Sequence, residues 1–194
     1  TVLDAKKQVV ATSKNGDITI KNPNLWSTES PYLYTLVVET ECDKYEERFG
    51  IRKVQVTSDA FLLNDKPIYF KGFGLHEDFI LSGKGNNSAV NIRNFELLKW
   101  TGANSFRTSH YPYSEEIMDL ADEYGILVID EVPAVCMKWW EGYNFGEDRV
   151  DDQTKVLHKE LIKQLIERDK NHPSVVMYSL MNEPESAEEK AREY

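Results

Sequence analysis

The chain has 194 residues, 41% of them apolar and 11% aromatic, which suffices for the packed core of one ordinary domain or parts of two and excludes a disordered polypeptide. A formal net charge of −10, with no clustered basic segment, excludes a nucleic-acid binder, because phosphate contacts need a basic face. No apolar run approaches the ~20 residues that cross a bilayer, so no membrane partner is expected. The two cysteines, Cys42 and Cys136, lie far apart and form no CxxC pattern; free thiols in a reducing, cytoplasmic setting are the expectation and a disulfide the alternative. The chain begins in mid-pattern at Thr1-Val2-Leu3 and reads as an internal piece of a longer protein, which leaves export open.

In chain order, alternation in Asp17-Ile18-Thr19-Ile20-Lys21, a β-rich run over 32–38 and the pattern over 49–56 predict antiparallel strands. Asn15-Gly16 is a hairpin signal, and Asn22-Pro23-Asn24 and Ser30-Pro31 break what precedes them. Three or four such strands make an incomplete sandwich over 1–57. After about Ser58 the period changes. Ile68-Tyr69-Phe70 predicts a short strand, and Ile92, Phe95 and Leu98 a helix. Asn104-Ser105-Phe106-Arg107 is the second strand, followed by Ile117, Leu120, Ala121 and Tyr124 at helical spacing. Ile126-Leu127-Val128-Ile129 is a buried strand; Leu157, Leu161, Ile162, Leu165 and Ile166 form a helical stripe; 175–180 is a fourth strand. Strand–helix alternation predicts a parallel α/β sheet over 58–194, and four βα units are half of an eight-fold barrel of about 250 residues. A four-stranded doubly wound sheet is the alternative, but no glycine-rich phosphate fingerprint follows the first strand.

Polar groups stand at the end of every predicted barrel strand: His76, Glu77 and Asp78; His110; Asp130 and Glu131; Asn182 and Glu183. In a parallel barrel these ends converge on one rim, and such a crowd of carboxylates and imidazoles suits sugar hydroxyls better than an apolar ligand. The last strand is the most informative, an apolar run that delivers an adjacent Asn and Glu to its far end. From spacing alone Asn182 and Glu183 read equally as the cap of a helix opened by Pro184, with Glu185, Glu188 and Glu189 in its first turns. His76 and His110, taken singly, read more readily as structural hydrogen-bonding groups or N-caps than as ligands. No compact ligand spacing such as H-x-x-x-H supports a metal hydrolase, so neither metal nor cofactor is expected.

Four blocks resemble glycoside hydrolase family two, the β-galactosidase, β-mannosidase and β-glucuronidase group, in the family's order. They are Phe49-Gly50-Ile51-Arg52, the stretch from Lys71 to Asp78, the stretch from Gly102 to Pro112, and the stretch from Asn171 to Pro184. Arg168-Asp169-Lys170 ahead of the last block leans toward the family's glucuronidases. The resemblance implies the first half of a (β/α)8 TIM barrel preceded by part of an all-β immunoglobulin-like sandwich, in a complete protein that is a homo-oligomer. It implies a retaining β-glycoside hydrolase acting on β-glucuronides, or otherwise on β-galactosides; the other class kept open is a non-catalytic carbohydrate-binding or scaffold protein. Retaining hydrolysis needs two carboxyl groups about 5–5.5 Å apart, one to protonate the leaving oxygen and one to attack the anomeric carbon. By resemblance Glu183 is the acid/base, which a nearby negative charge or partial burial must keep protonated. Asn182 matches the group that hydrogen-bonds the sugar 2-hydroxyl, and His110 and His76 match sugar-binding positions. Glu131 and Arg107 match supporting groups behind the rim. The nucleophile is implied to lie beyond residue 194, which would leave the isolated chain inactive. Met137, Trp139, Trp140, Tyr143 and Phe145 offer either an apolar platform for the aglycone or a loop packed on the barrel.

Overall fold

The protein was analysed as a computed structural model, in which residues 1–135 and 151–184 are described. Strands β1 (Val2–Leu3), β2 (Val9–Ala11), β3 (Tyr34–Glu39) and β4 (Lys44–Phe49) form an antiparallel sheet in the order β2-β1-β3-β4. In β3 Tyr34, Thr35 and Val37 are buried while Val38 and Glu39 are exposed, and Tyr34 stacks on its cross-strand partner Phe49 with ring centroids 5.7 Å apart. Thr40 closes the β3–β4 turn by accepting the Asp43 amide at 3.0 Å.

Three expectations for this region fail. Residues 17–21 are not a strand: Ile18 and Ile20 are half buried and Thr19 exposed, so the alternation is present, but no neighbouring backbone pairs with it among the described residues. Nor does Asn15-Gly16 turn a hairpin; Ser13 Oγ donates to Asn15 Oδ1 at 2.6 Å in a bend instead. Likewise 49–56 is not one strand. β4 stops at Phe49, and β5 (Val54–Val56) joins a separate antiparallel sheet with β6 (Phe61–Leu63) and β7 (Lys66–Ile68). Asn64 and Asp65 turn β6 into β7 with φ of 53° and 64°, the paired positive values of a type I′ hairpin.

The first barrel strand is displaced from its expected place. Ile68 ends β7, Tyr69 is 80% exposed, and Phe70 packs edge-on against Phe61, so the apolar run serves the small sheet. The Asn104 side chain then clamps the chain, accepting from the Lys71 amide at 2.8 Å and donating to the Tyr69 carbonyl at 2.9 Å, and β8 (Gly72–Leu75) starts there. A hairpin of β9 (Asp78–Phe79) and β10 (Gly83–Lys84) follows. Next come α1 (Ser88–Trp100), β11 (Ser105–Thr108), α2 (Glu115–Tyr124), β12 (Leu127–Glu131), α3 (Asp152–Asp169) and β13 (Val175–Ser179). β8, β11, β12 and β13 form one all-parallel sheet in the order β13-β12-β11-β8, the first half of a TIM barrel.

The helices begin and end where capping chemistry allows. Asn87 accepts the Val90 amide ahead of α1, and Asp151 accepts the Thr154 amide at 2.7 Å ahead of α3. α2 stops at Gly125 in the left-handed region at φ 68°, where a Cβ would meet the Thr28 carbonyl oxygen at 2.7 Å. α1 turns Asn91, Phe95 and Leu98 inward and leaves Ile92 46% exposed, so its buried face is rotated from the expected stripe. Phe95, Phe106, Ile117, Met118 and Val128 form the core between helices and sheet.

A tight joint connects the sandwich strands to the barrel strands. Trp26 is fully buried, and its indole nitrogen donates to the Asp122 carbonyl at 2.8 Å. The Arg52 fork donates to the carbonyls of Pro173 and Val175, each at 2.5 Å. Gly50 lies so close to this joint that a Cβ there would sit 2.7 Å from Pro173 Cγ and 2.9 Å from Trp26 Cβ. Asp122 completes it, accepting from His172 Nδ1 at 2.7 Å and from the Ser174 amide at 3.0 Å, which fixes the entry of β13.

Candidate active site

The parallel pairing of β8, β11, β12 and β13 brings their carboxyl ends to one rim, as open α/β architecture requires. At its centre is Glu131, whose side chain is 0% exposed. A buried carboxylate needs full pairing, and this one has it. Its Oε1 lies 2.8 Å from His110 Nδ1; its Oε2 accepts from Ser179 Oγ at 2.6 Å and lies 3.2 Å from Arg107 Nε. Arg107 Nη2 meanwhile lies 3.1 Å from His110 Nδ1 and donates to Asn182 Oδ1 at 2.9 Å. One guanidinium thus links an acid on β12, an imidazole after β11 and an amide after β13.

The remaining rim groups attach to this network. The His76 ring packs edge-on against His110, with centroids 5.5 Å apart, and His76 is exposed. The Ser109-His110 peptide is cis. Tyr113 donates its hydroxyl to the carbonyls of Leu75 and Ser109, joining the ends of β8 and β11. Beyond β13, the Asn182 amide donates to the Ala134 carbonyl at 2.8 Å, and Asn182 bridges to Val135 in parallel register. The Asn182 side chain spends its carbonyl on Arg107, which leaves its amide hydrogens as the donors it offers. Glu183 follows in left-handed backbone at φ 49° and is exposed. The helix in which Glu185, Glu188 and Glu189 were expected, and the apolar run from Cys136 to Phe145, lie outside the described residues.

Arg107, His110, Glu131 and Asn182 are therefore hydrogen-bonded together, with His76 against them. Three other expected rim groups are not in that network. Asp78 enters the β9–β10 hairpin opposite Lys84. Glu77 donates its amide to Tyr111 Oη at 3.0 Å, and its Oε1 is buried beside a small cavity next to α1. Asp130 points away from Glu131, because successive residues of a strand face opposite sides; it meets the helices. Sequence reasoning passed over Ser179, which the register sets directly opposite Glu131, and His158, which is buried on α3 with Nε2 2.8 Å from the Leu180 carbonyl. Strand parity offered a signal for Ser179; nothing local offered one for His158. Asp119, Asp122 and His172 come within 4.8 Å of one another at the entry of β13, the opposite end from the rim, where Asp122 is already engaged by His172 and Ser174.

Comparison with known proteins gives the family of the chain. The profile described as "Glycosyl hydrolases family 2, TIM barrel domain" matches residues 54–194, and that described as "Glycosyl hydrolases family 2" matches residues 1–52. The chain is 48% identical to the β-glucuronidase of Streptococcus agalactiae serotype V, over all of this chain and 34% of that protein. It superposes on a β-glucuronidase from an uncultured Clostridium sp. with a TM-score of 0.93 at 53% identity, covering 100% of this chain and 34% of that one. It superposes on the Ruminococcus gnavus β-glucuronidase in complex with D-glucuronic acid with a TM-score of 0.86 at 44% identity, covering 100% and 33%. The chain spans about a third of the length of these relatives. With its sandwich strands, its half-barrel and its matched profiles, the chain belongs to glycosyl hydrolases family 2.

Proposed function

We propose that the chain is the acid/base-bearing part of a retaining β-glucuronidase, with residues 1–57 ending an immunoglobulin-like sandwich and 58–194 forming the first half of the catalytic barrel. The observation that carries this reading is the Arg107–Asn182 contact, which holds the strand end bearing Asn182 and Glu183 against a fully paired Glu131. Glu183 is the proton donor to the leaving oxygen and the base for the attacking water. Asn182 offers its amide hydrogens to the sugar 2-hydroxyl, a contact that strengthens as charge develops at the anomeric carbon. His110 and His76 bind the sugar. Glu131 is unsuited to nucleophilic attack because both of its oxygens are engaged, so it and Arg107 support the rim and the nucleophile lies beyond residue 194.

Glucuronides are favoured over galactosides by the β-glucuronidase relatives, one of which is described in complex with D-glucuronic acid. No helix among the described residues is long and apolar enough to cross a membrane, and the exposed free thiol of Cys42 favours a cytoplasmic protein. The complete enzyme is proposed to be a homo-oligomer. The test is hydrolysis of nitrophenyl β-glucuronide beside nitrophenyl β-galactoside by the protein extended past residue 194. Cleavage of the glucuronide alone supports the assignment; preference for the galactoside overturns the substrate, and turnover of neither by a folded protein supports a carbohydrate-binding role.

A further inference from the structure

Behind the rim, on the helix-facing side of β12, lies a carboxyl pair that the proposed reaction does not use. Asp130 and Asp169 are both 0% exposed. Asp169 receives the Arg168 fork, Nε to Oδ1 at 2.7 Å and Nη2 to Oδ2 at 2.6 Å, and Arg168 Nη2 also donates to the Tyr113 carbonyl at 2.9 Å. Asp130 Oδ1 accepts the Thr108 hydroxyl at 3.3 Å. Its Oδ2 is buried with no donor among the described residues, and the Asp130 carboxyl interacts with the Asp169 carboxyl.

Counting hydrogens leaves one consistent arrangement. Thr108 has a single hydroxyl hydrogen, which goes to Asp130, while the same oxygen accepts the Glu131 amide at 2.8 Å. Both Asp169 oxygens already accept from a guanidinium, so Asp169 is the carboxylate. A proton on Asp130 Oδ2 then satisfies the orphaned oxygen and removes a like charge from a buried site.

We propose that Asp130 is the neutral, proton-donating member of a carboxyl–carboxylate pair with Asp169, and that this pair is a positioning device for the rim. It acts through Thr108, which joins Asp130 to the backbone of Glu131 and so fixes the group on which His110 and Arg107 depend. Burial first, then the hydrogen bond and charge of Asp169, push Asp130 up to about 8 against the opposing pull of Arg168 and Thr108. The other ionisable groups facing this spot are Tyr178 on β13, Glu115 beyond Arg168 on α2, and His172 on the turn after α3.

The direction of the pH effect follows. A folded-state value above the free carboxyl's 3.8 means that the pair's contribution is complete below about pH 4 and is lost as pH rises toward about 8. The test compares the extended protein with its Asp130→Asn and Asp130→Ala variants, since Asn is a permanently neutral donor of the same shape. The folding equilibrium constant of the unsubstituted protein should fall relative to Asp130→Asn by about tenfold per pH unit across that window and level off above it. The infrared band of a buried protonated carboxyl should be present at neutral pH and missing from Asp130→Asn. Parallel pH profiles for the two proteins, or absence of that band, would overturn the proton assignment. Asp130→Ala should lose glycosidase activity that Asp130→Asn restores; equal losses would overturn the positioning role. If Asp130→Ala does not fold, the ratio of kcat for Asp130→Asn to that of the unsubstituted protein decides it, a drop beyond tenfold counting against positioning by a neutral donor. Folding and infrared readouts hold whichever sugar is cleaved, so failure here is distinct from failure of the glucuronidase reading.

Discussion

Arg107 Nη2 donates to Asn182 Oδ1 at 2.9 Å and thereby joins the ends of β11 and β13, which are not neighbours in the sheet. The guanidinium reaches past β12 and on the way lies against Glu131, so one side chain sets the relative position of three strand ends. That arrangement makes Arg107 a structural residue of the rim. Replacing Arg107 with Met should destabilise the fold by about 2–3 kcal/mol, less than the full cost of orphaning a buried charge because Arg107 is itself partly exposed. Adding Glu131→Gln to Arg107→Met should recover part of the loss, since the orphaned charge is then gone. Urea unfolding of the single and double variants measures both effects.

The joint between sandwich and barrel should be sensitive to pH. Burial pulls His172 down, but its hydrogen bond to Asp122 and the charge there outweigh burial and raise it above its ordinary 6.5. A raised folded-state value means that the stabilisation is complete below about pH 6.5 and is lost as pH climbs through the higher folded value. The melting temperature should therefore decline over that alkaline interval, and His172→Gln should make the decline shallower than in the unsubstituted protein. An unchanged slope in the variant would mean that the His172–Asp122 pair does not control it.

Gly50 tests the closeness of the same joint. A methyl group there meets Pro173 and Trp26 at under 3 Å, and both neighbours are held in place, Trp26 by full burial and Pro173 by Arg52. Gly50→Ala should cost about 1–3 kcal/mol by overpacking, whereas Gly16→Ala, where nothing lies within 4 Å, should show only the strain of its positive φ. The midpoints of denaturant unfolding would separate the two.

The barrel half was legible because its signals are local. Apolar runs such as 126–129 and helical stripes such as Ile117, Ala121 and Tyr124 mark elements without reference to partners, and the strand-end rule brought His110, Glu131 and Asn182 into view, with Arg107 added by the family resemblance. What failed depended on pairing. Residues 17–21 have strand alternation but no ladder partner, and 49–56 is cut where Arg52 turns to Pro173 and Val175. The first barrel strand was misplaced because Ile68 and Phe70 are apolar for the sake of the small sheet. Ser179 was passed over and Asp130 was expected on the rim, because their roles come from register and from strand faces, which are set by neighbours distant in sequence.

The proton-donating role of Glu183 is tested most directly by leaving-group dependence. Proton donation matters in proportion to the basicity of the departing oxygen, so Glu183→Gln in the extended protein should reduce kcat/KM by about 10²–10⁴-fold for phenyl β-glucuronide. For dinitrophenyl β-glucuronide, whose leaving group departs without a proton, the loss in kcat/KM should be small. Equal losses on both substrates, or no loss on either, would contradict Glu183 as the general acid.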